Sequence, residues 1–569
     1  MSFRRSAVAL CAAVATGLSI APAQAAIVAE PIEYSAPGAG LSLTPIGAYD
    51  SGVFDESAAE IVAYHAGSQR VLTINARSGN IDLLDISDPT RPEKVGEVSA
   101  GAGNGINSVA IRADGLAVAN VEPEDKTAEG SMLFFDATTG EELGTVMLGN
   151  NGEHDAALPD MVGISADGRY AFSANEGEPA EDYSFDPEGS VSIVALPKSI
   201  QAPAQSDVRV ADFRAFNAPG ALPEGVRIFG QVGNSTTVAQ NLEPEYITEI
   251  DGRLYTTLQE NNAVAVVDLE SATVEKLLPL GHQDHSVTPL DASDKDGGIN
   301  IRNWPVKGIH QPDAIGAYTA ANGRNHLVMA NEGDARDWEA YSEEARLKKV
   351  QLCEGYQGLT AGEIEHLQSD EGAGRLNVTT AEGLSEDGSC HTQLYSYGSR
   401  SFSVIDTEGR LVFNSGDDFE QILAKAVPEY FNSNHSESNF EGRSDDKGPE
   451  PEGLALGEID GRTYAFVGLE RIGGIMVYDI TDPAHSKFVT YVNNRDFAIS
   501  MEDSTDIDAD LPQAGDLGPE GLAFIPAADS PNRKNLLVVG NEVSGTTTIF
   551  QIDGHELRPE GSSFSSSLG

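Results

Sequence analysis

The chain has 569 residues, and 89 acidic side chains against 36 basic ones give it a formal net charge of −53 at pH 7. A surface this negative repels nucleic acids and anionic membranes, so neither is expected as a partner. The 59 glycines and 28 prolines are typical of a fold with many turns. A chain of this length also calls for a search for internal repeats.

The N-terminus has the pattern of an export signal. Arg4 and Arg5 precede an apolar run over residues 7–20, and small residues follow around a cleavage position before Ala26. This pattern predicts a signal peptide over residues 1–25. The paired arginines leave both the general secretory route and the twin-arginine route open.

The rest of the chain indicates an exported protein that does not insert into a membrane. No later stretch reaches the roughly 20 apolar residues that a spanning helix needs. Residues 26–40 are expected to be an N-terminal extension, and the polar residues 557–569 are expected to be a disordered tail. We therefore expect a secreted monomer, located in the periplasm or outside the cell.

One sequence pattern recurs seven times across residues 41–556. Each copy begins with a carboxylate beside an apolar pair, often after proline, and continues with an apolar strand that ends in Asn-Glu or a close variant. One or two further strands complete the copy. Such repeats predict an all-β fold, a seven-bladed β-propeller with its sheets arranged around one axis. Two stacked sheets are the alternative, but they give no reason for seven copies.

The ends of the repeat array make a sharper prediction. The last copy runs out of chain near residue 554, after its third strand, and residues 41–49 have the pattern of an outer strand. We predict that this N-terminal strand completes the last blade. Three insertions interrupt the period, near residues 196–240, 339–398 and 415–450, and loops this long are usually functional or mobile.

Two insertions carry local signals of their own. Residues 343–349 are predicted to form a short helix, and the acidic run at residues 417–420 is expected to begin another, because carboxylates suit the first turn of a helix. Cys353 and Cys390 are the two cysteines that remain after removal of the signal peptide. Outside the cytoplasm such a pair favours a disulfide over a metal or redox site.

The repeat places carboxylates at two fixed positions. The innermost strand of each blade lines the axis, so residues that open this strand should share one rim, and residues that end the next strand should lie slightly farther out. Two copies depart from the pattern, with Ser108 and Ala76 in place of carboxylates. The predicted metal ligands at these two positions are Glu60, Asp160, Glu176, Glu245, Glu260, Asp313, Glu332, Glu452, Glu470, Glu520 and Glu542.

The chemistry of this ring favours calcium. Carboxylates close together raise one another's pKa unless a cation offsets their charge. Oxygen ligands without clusters of histidine or cysteine favour Ca²⁺, or else another divalent ion of the same hard class. The chain has no Cys-x-x-Cys or His-Glu-x-x-His motif for zinc. The alternative is that individual Asn-Glu carboxylates accept backbone hydrogen bonds at blade turns.

A second acidic segment precedes the fifth copy and contains Asp284, Asp291, Asp294 and Asp296. The run Asp294-Lys-Asp-Gly-Gly-Ile-Asn is similar to a calcium-binding loop but lacks the spacing of an EF-hand. These residues are therefore not counted among the predicted ligands.

Several strings in the chain are specific enough to indicate a family. They are Leu158-Pro-Asp-Met-Val, Ala174-Asn-Glu-Gly-Glu-Pro, Asp186-Pro-Glu-Gly-Ser-Val, Asn331-Glu-Gly-Asp-Ala-Arg-Asp-Trp, Arg443-Ser-Asp-Asp-Lys-Gly-Pro-Glu-Pro-Glu-Gly and Val539-Gly-Asn-Glu-Val-Ser-Gly. Together they resemble the choice-of-anchor I family, which includes mesenchyme-specific cell-surface glycoproteins. The resemblance implies an exported propeller with a variable C-terminal tether, although this sequence shows no tether motif. Some family members carry alkaline-phosphatase labels, and the family is distantly similar to calcium-dependent propeller phosphatases.

These observations lead to two functional hypotheses. The first is a metal-dependent phosphoesterase that uses metal-bound water and acts on a small phosphoester. Arg336, Arg443, Lys447 and Arg471 lie beside the acidic motifs and are its predicted catalytic cations, with Arg400 as a further candidate. The alternative for each of them is an ion pair with a neighbouring carboxylate. The second hypothesis is a non-catalytic propeller that binds a surface ligand or mediates adhesion.

Overall fold

The structure is a computed structural model, and it describes residues 27–149, 155–229 and 236–554. The predicted signal peptide and the predicted C-terminal tail lie outside these residues. Within them the fold is nearly all β, with six antiparallel sheets of four strands and one of five.

The seven sheets follow one another along the chain. Four strands form each of the first four sheets: Val62–His65, Arg70–Asn75, Asn80–Asp85 and Glu93–Ser99; Asn104–Ile111, Leu116–Pro123, Ser131–Asp136 and Glu142–Met147; Pro159–Ile164, Tyr170–Asn175, Ser190–Ala195 and Val208–Asp212; and Pro244–Ile250, Arg253–Leu258, Ala263–Asp268 and Thr273–Pro279. The remaining three sheets use these strands: Ile315–Thr319, Asn325–Asn331, Ser401–Asp406 and Leu411–Asn414; Pro451–Ile459, Arg462–Leu469, Ile475–Asp479, Lys487–Asn493 and Ile32–Ser35; and Pro519–Ile525, Asn535–Asn541, Thr546–Gly554 and Leu41–Asp50.

The middle strands explain why the sequence pattern is continuous rather than alternating. Ala263–Asp268, for example, has five consecutive buried residues before its final Asp. A strand that is covered on both faces needs apolar side chains on both, and β-branched residues pack well there. Each sheet is therefore sandwiched between two neighbours.

The apolar cores lie between successive sheets. Leu72 of the first sheet and Leu133 of the second belong to one core, and each following pair of sheets shares another. The last pair joins the seventh sheet to the first, where Ile549 packs in one cluster with Leu84. The first strand of every sheet also contacts the first strand of the next, and Pro519–Ile525 contacts Val62–His65. The last sheet therefore packs against the first as well as against the sixth.

The N-terminal strand pairs with the last strand of the chain, as the sequence predicts. Leu41–Asp50 runs antiparallel to Thr546–Gly554 and forms the outer strand of the seventh sheet. The sequence did not indicate a second such contact. Within the expected N-terminal extension, Ile32–Ser35 pairs with Lys487–Asn493 and adds a fifth strand to the sixth sheet.

The segment between the second and third strands of the fifth sheet has a core of its own. Leu347, Tyr356, Leu367 and Val378 pack there with residues that precede the fifth sheet, among them Trp304. Cys353 and Cys390 form the expected disulfide, with their Cα atoms 5.0 Å apart. The small sheets of this part of the chain contain His282–Asp284, Lys307–Ile309 and Tyr395–Ser396; Asp337–Trp338 and Tyr341–Ser342; and Glu344–Arg346 and Asn377–Thr379.

The helix predicted at residues 343–349 is wrong. Glu344–Arg346 is a strand paired with Asn377–Thr379, and Leu347–Lys349 is a single 3-10 turn. Tertiary pairing has overridden a local pattern in this case. The helix expected to begin at the acidic run is present as Asp418–Ala426, with Asp418 and Glu420 in its first turn.

Helices are few and short in the described part of the chain. The α-helices are Val238–Asn241, Ala361–Leu367, Asp418–Ala426 and Ile507–Ala514, and the 3-10 turns are Ala76–Ser78, Gln205–Asp207, Arg214–Asn217, Leu347–Lys349, Tyr356–Gly358, Pro428–Tyr430 and Pro483–His485. None of them has the length and apolar character that a bilayer span requires.

Candidate metal centre

A bulge at the start of the innermost strand positions the first set of carboxylates. In four sheets the strand opens with Pro-Asp or Pro-Glu, and the ladder register shifts directly after the proline. Asp160, Glu245, Glu452 and Glu520 are the residues that follow these prolines. A bulge leaves such a residue outside regular pairing and redirects its side chain. The Pro-Asp and Pro-Glu pairs therefore direct a carboxylate away from the sheet.

The Asn-Glu motif positions the second set, and its two residues have separate roles. The Asn175 amide donates to the hydroxyls of Ser190 and Ser192, at 3.0 and 2.8 Å. In the same way the Asn331 amide donates to Ser403 at 2.8 Å. The asparagine thus fixes the end of the second strand to the third strand. The glutamate that follows takes no part in this link between the two strands.

The structure brings all of the predicted ligands except Asp160 into compact groups. Within each group, one ligand atom from every residue lies within 4.8 Å of the others. The groups are Glu60 with Glu520 and Glu542; Glu176 with Glu245 and Glu260; Asp313 with Glu332 and Glu452; and Glu470 both with Glu332 and Glu450 and with His435 and Glu542. We call this set the carboxylate ring.

The group of Glu176, Glu245 and Glu260 has the least favourable electrostatics of these groups. Glu245 and Glu260 are only 7% and 8% exposed, and one carboxylate oxygen of each is buried without a hydrogen-bond partner within the described residues. Burial, together with neighbouring carboxylates, raises the pKa of Glu260 to about 8 and the pKa of Glu245 well above its usual range. These carboxylates must either hold protons or share a cation.

The group of Glu60, Glu520 and Glu542 is more open but similar in charge. Burial, followed by the charge of Glu542, raises the pKa of Glu60 to about 8. The Ser57 hydroxyl donates to Glu542 at 3.4 Å. One carboxylate oxygen of Glu520 has no partner within the described residues. A recess of about 370 Å³ opens over this side of the ring, and its lining residues include Glu60, Asp160, Glu176 and Glu520.

Three of the predicted catalytic cations converge on one carboxylate that the sequence analysis missed. Glu450 is completely buried, and it accepts contacts from Arg443 at 2.6 Å, Lys447 at 3.1 Å and Arg471 at 3.0 Å. Burial alone would raise the pKa of Glu450, but these three charges hold it well below its usual range. The backbone of Glu450 has φ = 51°, between two prolines. A non-glycine residue in this conformation is held there by its surroundings.

The same cations also neutralise part of the ring. Lys447 lies 2.7 Å from a carboxylate oxygen of Glu332, and Arg471 lies 2.8 Å from Glu470. The ion-pair alternative to a catalytic role therefore describes what these side chains do here. No repeated pattern marks Glu450 in the sequence, because it stands before the second proline of Gly448-Pro-Glu-Pro and the repeat motif concerns the acid after that proline.

The other two candidate cations are buried and paired. Arg336 is in an ion pair with Glu243, and its Nη1 donates to the Tyr183 hydroxyl at 3.1 Å. Arg400 pairs with Glu420 at 2.6 Å and donates to backbone carbonyls. All five cations named from the sequence are thus engaged by carboxylates.

Two further residues, Asp160 and Tyr246, lie close to carboxylates of the ring. Asp160 stands apart from the compact groups within the described residues, and burial and the charge of Glu122 raise its pKa to about 6. Tyr246 is in electrostatic contact with ring carboxylates from several sheets, including Asp313 and Glu520, and packs against three of the inter-sheet cores. Its side chain therefore lies near carboxylates that come from several sheets. As a single aromatic after Glu245 it carried no signal in the sequence.

Comparison with known proteins supports the family indicated by the motifs. The sequence profile of the choice-of-anchor I domain matches residues 60–483. Gigasin-3a from Magallana gigas is 34% identical over 206 residues, which cover 34% of this chain and 68% of that protein. The mesenchyme-specific cell surface glycoprotein of Strongylocentrotus purpuratus is 28% identical over 309 residues, which cover 47% of this chain and 40% of that protein.

Solved structures resemble the chain only weakly. Hydrazine synthase from Kuenenia stuttgartiensis aligns with a TM-score of 0.42 and 11% identity, covering 90% of this chain and all of that chain. A streptogramin B lyase aligns with a TM-score of 0.39 and 9% identity, covering 91% of this chain and 98% of that chain. Likenesses at this level say nothing about function.

Proposed function

The chain belongs to the choice-of-anchor I domain family, and from this premise we propose that it is an exported, non-catalytic binding protein that holds Ca²⁺ in the carboxylate ring. The fold underlying the proposal is a closed seven-bladed propeller. The cyclic order of the first-strand contacts and the shared core between the last and first sheets support that closure. The similarity to the mesenchyme-specific cell surface glycoprotein of Strongylocentrotus purpuratus supports a location at the cell surface.

One observation carries the metal proposal. Glu176, Glu245 and Glu260 come from the third and fourth sheets, yet their carboxylate oxygens lie within 4.8 Å of one another. Two buried oxygens in this group lack a partner among the described residues, and unpaired buried charge is strongly unfavourable. A hard divalent cation with carboxylate ligands would satisfy these oxygens, and Ca²⁺ tolerates such irregular oxygen sets better than Mg²⁺.

The phosphoesterase hypothesis receives less support than the binding hypothesis. A phosphate group needs cations that are free to contact its oxygens. Arg443, Lys447 and Arg471 are already shared among Glu450, Glu332 and Glu470, at 2.6–3.1 Å. We expect purified protein to show no hydrolysis of p-nitrophenyl phosphate above the buffer rate at any pH, with or without Ca²⁺.

Calorimetric titration of Ca²⁺ into the metal-free protein tests the binding proposal. We expect binding by the wild-type chain and at least a tenfold weaker affinity of the ring site in the double variant Glu245→Gln, Glu260→Gln. Glu365→Gln is the matched control, because Glu365 is an exposed glutamate on the helix Ala361–Leu367. The proposal fails if the wild type gives no binding signal, or if the double variant binds as the wild type does.

A further inference from the structure

Arg495 is a buried cation that has no carboxylate partner among the described residues. It lies just after the strand Lys487–Asn493, and it is 2% exposed. Three other arginines are buried to a similar degree, and each of them is in an ion pair: Arg227 with Glu343, Arg336 with Glu243, and Arg400 with Glu420. A buried charge is costly unless an opposite charge lies beside it. Arg495 is therefore the exception among these four arginines.

Backbone carbonyls satisfy only part of the Arg495 guanidinium. Nη1 donates to the carbonyl oxygens of Asn434 at 2.9 Å and of Arg471 at 3.2 Å, and Nη2 donates to that of Glu437 at 2.9 Å. Nε is buried and has no acceptor within the described ranges. Carbonyl groups carry only partial negative charge. One N–H of the guanidinium thus lacks an acceptor, and no full negative charge offsets the cation.

A recess of about 440 Å³ lies against this side chain, and Tyr430 and Phe497 line it together with Arg495. The two aromatic rings are stacked with their centroids 4.5 Å apart, and the guanidinium carbon of Arg495 lies 4.4 Å from the Phe497 centroid. Ile32 adds further apolar surface to the lining. The volume is in the range of small-molecule sites, which combine apolar walls with a few polar groups.

Two acids in the lining narrow the class of anion that the recess could accept. Glu30 and Asp496 line the recess and are exposed. Water and salt screen exposed charges far more than they screen the buried guanidinium of Arg495. A dianion such as sulfate would still meet twice the repulsion of a monoanion from these acids, with the same single cation to attract it. The lining therefore favours a monoanion with an apolar body.

We propose that Arg495, Tyr430 and Phe497 form a binding site for a small organic monocarboxylate. The ligand carboxylate accepts a hydrogen bond from Nε of Arg495, and the ring or apolar body of the ligand packs against the two aromatic side chains. Hydrogen bonds between arginine and carboxylate are among the strongest in proteins, because both groups are charged. This site is separate from the carboxylate ring and does not depend on Ca²⁺.

Calorimetric titration of 4-bromobenzoate into the full mature chain in EDTA tests this site. We expect the wild type to bind 4-bromobenzoate but not its neutral analogue 4-bromobenzamide, and Arg495→Met to bind the acid at least tenfold more weakly. Arg302→Met is the matched control, because Arg302 lies 4.4 Å from the Trp304 ring centroid but is exposed, and it should bind as the wild type does. No binding by the wild type, or equal binding of the amide, would overturn the proposal.

A second variant covers the case in which Arg495→Met does not fold, since that change also removes hydrogen bonds to three carbonyls. Ala498→Trp fills the recess from an exposed lining position and leaves Arg495 in place. It should abolish binding of 4-bromobenzoate without lowering the melting temperature, and retained binding would reject the site. Crystals of the wild type soaked with 4-bromobenzoate should show a bromine anomalous peak beside Tyr430 and Phe497. A peak elsewhere, with none in the recess, would also reject the site.

Discussion

Two sides of the carboxylate ring carry the same type of residue but solve the charge problem differently. On one side, Glu332, Glu450 and Glu470 are matched by Arg443, Lys447 and Arg471 at distances of 2.6–3.1 Å. On the other side, Glu176, Glu245 and Glu260 face one another, and oxygens of Glu245 and Glu260 lack a partner among the described residues. The first side has the charge balance of a structural ion-pair network. The second side requires a cation or protons from solution.

The largest expected difference between the two sides is in stability. Glu450→Gln leaves three partly buried cations around a neutral amide, and breaking a buried ion pair by removing one partner costs about 3–5 kcal/mol. We expect the free energy of unfolding to fall by this amount in urea denaturation, equally in Ca²⁺ and in EDTA. Glu245→Gln should instead leave the stability in EDTA unchanged or higher, because it removes repulsion. A loss of stability in Glu450→Gln that depends on Ca²⁺ would show that the two sides of the ring do not differ in this way.

Removing one cation from the ion-paired side of the ring should leave a carboxylate there without charge compensation, as on the other side. Lys447→Gln leaves Glu332 without its 2.7 Å partner while Arg443 and Arg471 still hold Glu450. The cost of an unsatisfied buried charge predicts a loss of about 2 kcal/mol in EDTA. Because Glu332 groups with Asp313 and Glu452, Ca²⁺ should restore part of that stability. A loss of stability that Ca²⁺ leaves unchanged would show that this group does not bind the ion.

The smallest of the three expected effects is a pH dependence of stability that comes from the side of Glu176, Glu245 and Glu260. Burial raises the pKa of Glu260 to about 8 in the folded protein, above its value in the unfolded chain. Such a group stabilises the fold fully below the unfolded pKa, and this contribution is lost as the pH rises through the folded pKa. Between about pH 5 and 8, the metal-free protein should lose at least about 1.4 kcal/mol, the equivalent of one pKa unit.

Thermal unfolding in EDTA across this pH range measures the effect, and saturating Ca²⁺ should flatten the profile because the ion replaces the protons. The Glu260→Gln variant, which cannot titrate, serves as the control. A metal-free wild type that becomes more stable as the pH rises to 8 would contradict the assignment.

The features that could be predicted from the sequence are those that recur along the repeats. Seven copies of one pattern indicated the sheets, and the fixed places of Pro-Glu and Asn-Glu indicated which acids would meet. The bulge after proline, which occurs in four sheets, and the asparagine clamp are local devices, so a sequence pattern can mark them. The pairing of residues 41–49 with the last strand followed from a strand missing in the final copy.

Features that occur only once in the chain could not be predicted from the repeats. Glu450 was not singled out in the sequence, and its role depends on three cations that the fold brings to it. Residues 343–349 have a helical pattern, but Glu344–Arg346 is a strand because Asn377–Thr379 supplies a partner. Ile32–Ser35 joins the sixth sheet through a long-range pairing that has no counterpart in the repeats. Nothing local marks such contacts, so only the folded chain reveals them.

Anomalous diffraction from crystals of the wild-type protein grown with Ca²⁺ or Tb³⁺ locates the bound ion directly. We expect a peak bounded by the carboxylates of Glu176, Glu245 and Glu260, and none between Glu450 and its three cations. Crystals that bind the ion elsewhere but show no density within this group would contradict it.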